Sequence, residues 1–273
     1  EGGTSRLETM CANYRKTGLD CLFTLGGAGT HRTAALLCAE GCNVIGLPKT
    51  IDNDIYGTDV TFGFHSAADI ATNVIDYIHT TALAHSRIFL VEVMGRHAGW
   101  LTLTAGIAGG ADVILIPEIP YDIEKVAETI ERRKKKGRTF SIVAVAEGAV
   151  SKDDKVLSEE ERRRRKDANP YSTISYRIAD ELEKITGQEA RVTVPGHYQR
   201  GGPACPYDRV LATRFGTAAA RMIMEQKYGC MVGIQGGNIV HVPLEEAASR
   251  TKFLPVDHPL IQTARDAGTG FGD

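Results

Sequence analysis

Leu22-Phe23-Thr24-Leu25-Gly26-Gly27-Ala28-Gly29-Thr30, followed by a helical pattern through Leu37 and a second apolar run at residues 43–47, reads as strand, glycine turn, helix and strand. That succession is the building unit of a parallel sheet, because the apolar period changes from short runs to 3.6 and back again. The same alternation continues outward. Residues 67–80 place Ile70, Val74, Ile75 and Ile78 on one helical face, and 87–93 reads as a buried strand. Residues 113–116, 141–146 and 191–194 read as further strands, separated by helical stretches at 122–136 and 173–186. No Pro/Gly/Ser linker, internal repeat or low-complexity segment interrupts the pattern. The sequence therefore predicts an α/β protein of two intimately packed lobes with doubly wound, mostly parallel sheets. Ligands of such sheets bind at the carboxyl ends of the strands, where the loops converge.

Composition narrows the function classes. A chain of 273 residues, 42% hydrophobic and 24% charged with 29 glycines, is globular and rich in tight turns. A formal net charge of -2 excludes a general role on nucleic acid or on a membrane surface, since both need a basic face. The basic run at 162–166 follows Ser158, Glu159, Glu160 and Glu161 and reads as a solvated helix face with compensating charges. No apolar run approaches the roughly 20 residues of a membrane-spanning helix, and no signal segment opens the chain, so a cytoplasmic location is expected. Six cysteines without a CxxC pair read as buried thiols, not as a disulfide framework or a zinc site.

Four loops after strands carry residues that packing does not explain. In Gly26-Gly27-Ala28-Gly29-Thr30 the glycines let backbone N–H groups approach an anion at a helix start, although a tight turn alone would also use them. Pro48-Lys49-Thr50-Ile51-Asp52-Asn53-Asp54 sets a lysine, a hydroxyl and two carboxylates within a few residues. A carboxylate there can take the proton of a hydroxyl attacking phosphorus, and a second can help hold magnesium; an Asx-type turn accounts for neither Lys49 nor Thr50. Met94-Gly95-Arg96-His97-Ala98-Gly99-Trp100 offers a guanidinium to a phosphoryl group. Pro195-Gly196-His197-Tyr198-Gln199-Arg200-Gly201-Gly202, preceded by Arg191, makes a phosphate clamp, and Glu147 adds a carboxylate suited to sugar hydroxyls.

Taken together, these loops resemble the phosphofructokinase A family in order, spacing and residue type over nearly the whole chain. The resemblance implies a phosphotransferase acting on fructose 6-phosphate with magnesium and ATP or pyrophosphate. It implies Asp52 as the catalytic base for the sugar 1-hydroxyl, Thr50 and Arg96 as its catalytic partners, and Asp54 in the magnesium and phosphoryl surroundings. Met94, Gly95, Arg96 and Glu147 match sugar-binding positions, and His197 with Arg200 the clamp on the 6-phosphate. Arg87 and Arg191 match arginines that reach this phosphate from a neighbouring subunit, which implies a homo-oligomer with shared active sites. Gly27, Gly29, Thr30 and Lys49 match the donor site. Residues 1–63 with 199–250 are then the donor lobe, and 64–198 with 251–273 the sugar-phosphate lobe.

Four features depart from the family pattern or bear on the donor. Glycine at the position of Gly29 leaves room for a nucleotide α-phosphate and goes with ATP, whereas Lys49 occupies a position that is lysine in pyrophosphate enzymes and in some ATP branches. Ala28 stands where the family usually carries a magnesium-binding carboxylate, and a methyl group coordinates no cation. The chain opens near the end of the family's first region, so an N-terminal part of the donor site is expected to be missing, while 265–273 resembles a natural C-terminus. The alternatives are a pyrophosphate-dependent enzyme and a catalytically weak regulatory subunit. Lys136 and Arg138 lie where some bacterial relatives bind an effector phosphate, and equally suit the basic end of a helix dipole.

Overall fold

The computed structural model describes residues 6–158, 160–161 and 171–273, which divide into two compact units. The first takes the described residues within Glu1–His65 and Ala204–Lys252, the second those within Ser66–Pro203 and Phe253–Asp273. Among the described residues there are eight strands: β1 (Leu22–Gly26), β2 (Val44–Pro48), β3 (Ile88–Val93), β4 (Val113–Leu115), β5 (Ser141–Ala146), β6 (Ala190–Thr193), β7 (Cys230–Gln235) and β8 (Asn238–Pro243).

The first unit holds the sheet β1-β2-β7-β8, parallel except for the antiparallel β7–β8 pair. Sequence periodicity missed both β7 and β8. They form a hairpin closed by Gly236 and Gly237, whose φ values of 53° and 82° supply the left-handed pair that a two-residue turn of matching twist requires. Val44 and Met231 from the sheet, Ala34 and Leu37 from the helix Ala28–Ala39, and Leu244 and Ala247 from the helix Leu244–Ser249 share one buried cluster.

The second unit is the all-parallel sheet β4-β5-β3-β6. Every residue of β3, β4 and β5 is buried, as strands covered on both faces must be. On one face Ile88, Leu90, Val143 and Val145 pack against Val126 and Ile130 of the helix Ile123–Lys135 and Ile178 and Leu182 of the helix Ile174–Thr186. On the other, Gly106 of the helix Trp100–Ala108 lies so close to Ile114 and Ala144 that an added Cβ would stand 2.7 Å from Ile114 Cδ1. Helices on both faces make this sheet doubly wound.

Ser158 and Glu161 form a reciprocal cap, the Ser158 N–H donating to Glu161 Oε2 at 2.8 Å and the Glu161 N–H to Ser158 Oγ at 3.3 Å. The basic run at 162–166 lies outside the described residues. Among those described, no helix is long and apolar enough to cross a membrane. All six cysteines are free, but only Cys11 and Cys42 are buried. The expectation of buried thiols fails for Cys21, Cys38, Cys205 and Cys230 because each sits at or beside the end of a strand or helix, where cover is incomplete.

Candidate functional site

In the first unit the parallel register sets Gly26 opposite Pro48, so two of the four loops leave the sheet side by side. The Lys49 N–H donates to the Gly26 carbonyl at 3.0 Å. A Cβ placed on Gly27 would stand 3.5 Å from Thr50 Cβ, which brings Gly27, Lys49 and Thr50 together. The helix Ala28–Ala39 begins directly after its N-cap Gly27, and no side chain caps its first turn. Ala28, Gly29 and Thr30 therefore carry first-turn N–H groups without intrahelical acceptors, the usual cradle for an anion. Thr30 folds its side chain over Gly26, where a Cβ would come within 2.1 Å of Oγ1. Gly29 is exposed and the space beside it is open, with nothing within 4 Å of where a Cβ would stand.

The loop after β2 is held by its own side chains. The Asp52 N–H donates to Thr50 Oγ1 at 3.2 Å, and the Thr50 carbonyl accepts the Thr61 hydroxyl at 2.7 Å. Asn53 sits in the left-handed region at φ 53°, a conformation asparagine tolerates better than most residues. Its Oδ1 accepts the Thr61 N–H at 3.1 Å and Lys252 Nζ at 3.0 Å. Asp52 is half-buried and Asp54 buried. Burial pulls the Lys252 pKa down to about 8, against the opposing pull of Asp59 and Asp54.

The structure offers magnesium little of its own. Among the described residues no three His, Cys, Asp or Glu side chains are grouped to hold a metal ion. Ala28 packs its methyl against the buried cluster of the unit. Asp54 is the remaining carboxylate of the expected set. These residues fit a cation carried in on donor phosphates, for which one or two protein carboxylates suffice, and not a protein-built cage.

In the second unit the ends of β3 and β5 build a tight corner. Gly95 (φ 138°) and Arg96 (φ 57°) both have positive φ, and for an arginine that is an uncommon, locally strained conformation. Glu147 holds it: its Oε1 accepts the Gly95 N–H at 3.3 Å and the Arg96 N–H at 2.8 Å. Gly148 makes the room, since a Cβ there would stand 2.0 Å from the Arg96 carbonyl oxygen. Gln199, buried in the 3-10 helix Gly196–Arg200, accepts the Met94 N–H at 3.1 Å and donates to the Gly196 carbonyl at 3.2 Å. It thus joins the Met94-Gly95-Arg96 corner to the segment carrying the exposed His197 and Arg200.

Arg87 and Arg191 lie on neighbouring strands β3 and β6, or just before them, and both pair with Glu189. Glu118 secures the far end of the Met94–Trp100 loop, accepting the Gly99 N–H with Oε1 at 2.9 Å and Oε2 at 3.1 Å. Sequence reasoning did not single out Gln199, Glu189, Glu118 or Lys252. The predicted residues thus fall in both units: Gly27, Gly29, Thr30, Lys49, Thr50, Asp52 and Asp54 in the first; in the second, Met94, Gly95, Arg96, Glu147, His197 and Arg200 follow the carboxyl ends of β3, β5 and β6, whereas Arg87 and Arg191 lie toward the amino ends of β3 and β6 and are not brought to that corner.

A family model described as Phosphofructokinase matches residues 2–223. An ATP-dependent 6-phosphofructokinase of Spirochaeta thermophila is 56% identical over 273 residues, covering 100% of this chain and 75% of that protein. Among solved structures, a phosphofructokinase from Saccharomyces cerevisiae superposes with a TM-score of 0.74 at 36% identity, over 89% of this chain and 34% of the yeast chain. A pyrophosphate-dependent phosphofructokinase from Marinobacter aquaeolei gives a TM-score of 0.79 at 25% identity, over 97% of this chain and 68% of that one. The chain therefore spans three quarters of the Spirochaeta relative and about a third of the yeast chain.

Proposed function

The chain belongs to the phosphofructokinase family, and from that premise we propose that it is an ATP-dependent 6-phosphofructokinase, moving the γ-phosphoryl group of ATP to the 1-hydroxyl of fructose 6-phosphate. The observation that carries the choice of donor is the 56% identity to an ATP-dependent relative across the whole chain, against 25% to a pyrophosphate-dependent one. The open space beside Gly29 suits the longer donor. Lys49 favours pyrophosphate as the second reading.

Phosphoryl transfer needs positioning and charge neutralisation more than covalent catalysis. In this reading the first-turn N–H groups after Gly27 and the Lys49 ammonium receive the donor phosphates. The Asp52 carboxylate takes the proton of the 1-hydroxyl as its oxygen attacks phosphorus, and Thr50, bonded to the Asp52 N–H, helps orient the reacting groups. Arg96 presents its guanidinium to the migrating phosphoryl group, which the strained backbone held by Glu147 aims. Glu147 Oε1 is taken by amides, and its other oxygen serves a sugar hydroxyl. His197 and Arg200 bind the 6-phosphate. Magnesium arriving on the nucleotide, met by Asp54, would neutralise donor-phosphate charge.

We also read Arg87 and Arg191 as completing the 6-phosphate site of a neighbouring copy in a homo-oligomer, and we place the reaction in the cytoplasm, where six free thiols stay reduced. Asp52→Ser in the full-length protein tests the mechanism. Turnover is expected to fall about 10²- to 10⁴-fold with the Michaelis constant for fructose 6-phosphate within about tenfold of the parent. Near-parental turnover would remove Asp52 from the chemistry.

A further inference from the structure

Lys252 stands 199 residues beyond Asn53 in sequence, yet its side chain is committed to the loop that carries Asp52. Its Nζ donates to Asn53 Oδ1 at 3.0 Å, to the Thr58 carbonyl at 2.9 Å and to the Asp59 carbonyl at 2.9 Å. An ammonium carries three donors, and the loop's oxygens engage it at three points. The Lys252 N–H donates to the Asp54 carbonyl at 2.8 Å, and an antiparallel bridge between Ile55 and Thr251 lays the two segments side by side. Lys252 is thus attached both to the residues directly after Asp52 and to the point where the chain turns back.

The chain ahead of Asp52 is secured separately. Thr61 takes the Thr50 carbonyl with its hydroxyl and Asn53 Oδ1 with its N–H, so Asp52 lies between the tethered Thr50 and Asn53. Asn53 keeps its left-handed φ with both of its Oδ1 lone pairs engaged, one by a cation. A half-buried ammonium, with the Asp54 and Asp59 carboxylates acting on it as well, has lost hydration that a surface lysine keeps. Fixing a loop whose geometry matters is a role that accounts for that arrangement.

Resting on the reading of Asp52 as the base, we infer that Lys252 is a positioning residue for the phosphoryl-transfer step, holding the 52–59 loop so that Asp52 stands where it receives the proton of the attacking hydroxyl. It acts through Asn53, Thr58 and Asp59.

The test compares kcat and both KM values of the full-length parent, Lys252→Met and Asp52→Ser, alongside thermal unfolding. Methionine keeps an unbranched apolar stem and removes the three donors. Lys252→Met is expected to lower kcat about 10- to 100-fold, the scale of a displaced catalytic group, with both KM values within about threefold of the parent. A parental kcat with only a lowered Tm would make the residue merely structural and overturn the inference, as would a loss confined to KM. Should Lys252→Met fail to fold, Lys252→Arg carries the test. Its guanidinium keeps the charge but cannot aim three donors from one atom, so kcat should fall about threefold or more; a folded Lys252→Arg with parental kcat also overturns it. A parent inactive with ATP and fructose 6-phosphate, or an Asp52→Ser variant as active as the parent, would instead remove the reading beneath the inference.

Discussion

Glu147 Oε1 accepts the Arg96 N–H at 2.8 Å where the chain leaves the paired strands β5 and β3, and the same oxygen takes the Gly95 N–H. One carboxylate therefore fixes an arginine in a backbone conformation that most side chains disfavour. Glu147→Leu removes the acceptor and leaves the two amides without it, while Glu147→Gln keeps a neutral acceptor of the same shape. Loss of a charge-assisted bond costs about 1.5–3 kcal/mol, so kcat/KM for fructose 6-phosphate should fall about 10- to 100-fold in Glu147→Leu and distinctly less in Glu147→Gln. Equal losses in the two variants, measured by steady-state kinetics, would show that Glu147 serves the sugar alone and not the Arg96 backbone.

Arg87 and Arg191 share Glu189, which holds two guanidinium groups together on one edge of the second unit. If they complete a neighbour's phosphate site, inactive Asp52→Ser chains mixed with inactive Arg191→Ala chains should regain activity that neither has alone, because a mixed interface pairs one intact Asp52 with one intact Arg191. Mixed oligomers demonstrated by mass and still inactive would place each site within a single chain.

His31 is fully buried in the helix after the glycine loop, with both ring nitrogens outside hydrogen-bonding geometry. Burial, weakly opposed by the Gly26 carbonyl, brings its pKa down to about 4 from 6.5. Above pH 6.5 the folded and unfolded forms are both neutral at this site. As pH falls below 6.5 the unfolded chain takes up a proton that the folded one refuses until about pH 4, so stability drops by up to about 3 kcal/mol across that window. His31→Leu should lose less stability than the parent on acidification from pH 7 to 4.5, read from urea midpoints at each pH. Parallel pH profiles for parent and variant would contradict the assignment.

Much of the α/β architecture was legible because the buried strands are continuous apolar runs: residues 141–146 coincide with β5, and 87–93 with β3 to within one residue. The hairpin of β7 and β8 was not read, although Gly236-Gly237 between alternating residues is its signal. The chemistry-bearing loops were legible because lysine, arginine and aspartate after a buried strand have no packing role. Gln199 and Lys252 were not, since their meaning lies in partners 105 and 199 residues away, and an isolated glutamine or lysine carries no local pattern. The sequence shows Ala28 only as a missing carboxylate, whereas in the fold its methyl packs against the buried cluster.

The choice of donor is the point on which the functional reading is most exposed, and Gly29 gives direct access to it. Nothing lies within 4 Å of a Cβ at this position, so Gly29→Asp fits the protein itself and any loss reports on the ligand. A carboxylate about 4 Å from the α-phosphate at reduced dielectric opposes binding by about 4 kcal/mol, and pyrophosphate, ending where the α-phosphate begins, should feel less of it. The measurement is the rate of fructose 1,6-bisphosphate formation by the full-length protein at saturating fructose 6-phosphate, with ATP and with pyrophosphate, in the parent and in Gly29→Asp. ATP is expected to support the parent's turnover and to fail in the variant by about 10²-fold or more; a parent that uses pyrophosphate alone, or a variant with unchanged ATP kinetics, would contradict the assignment.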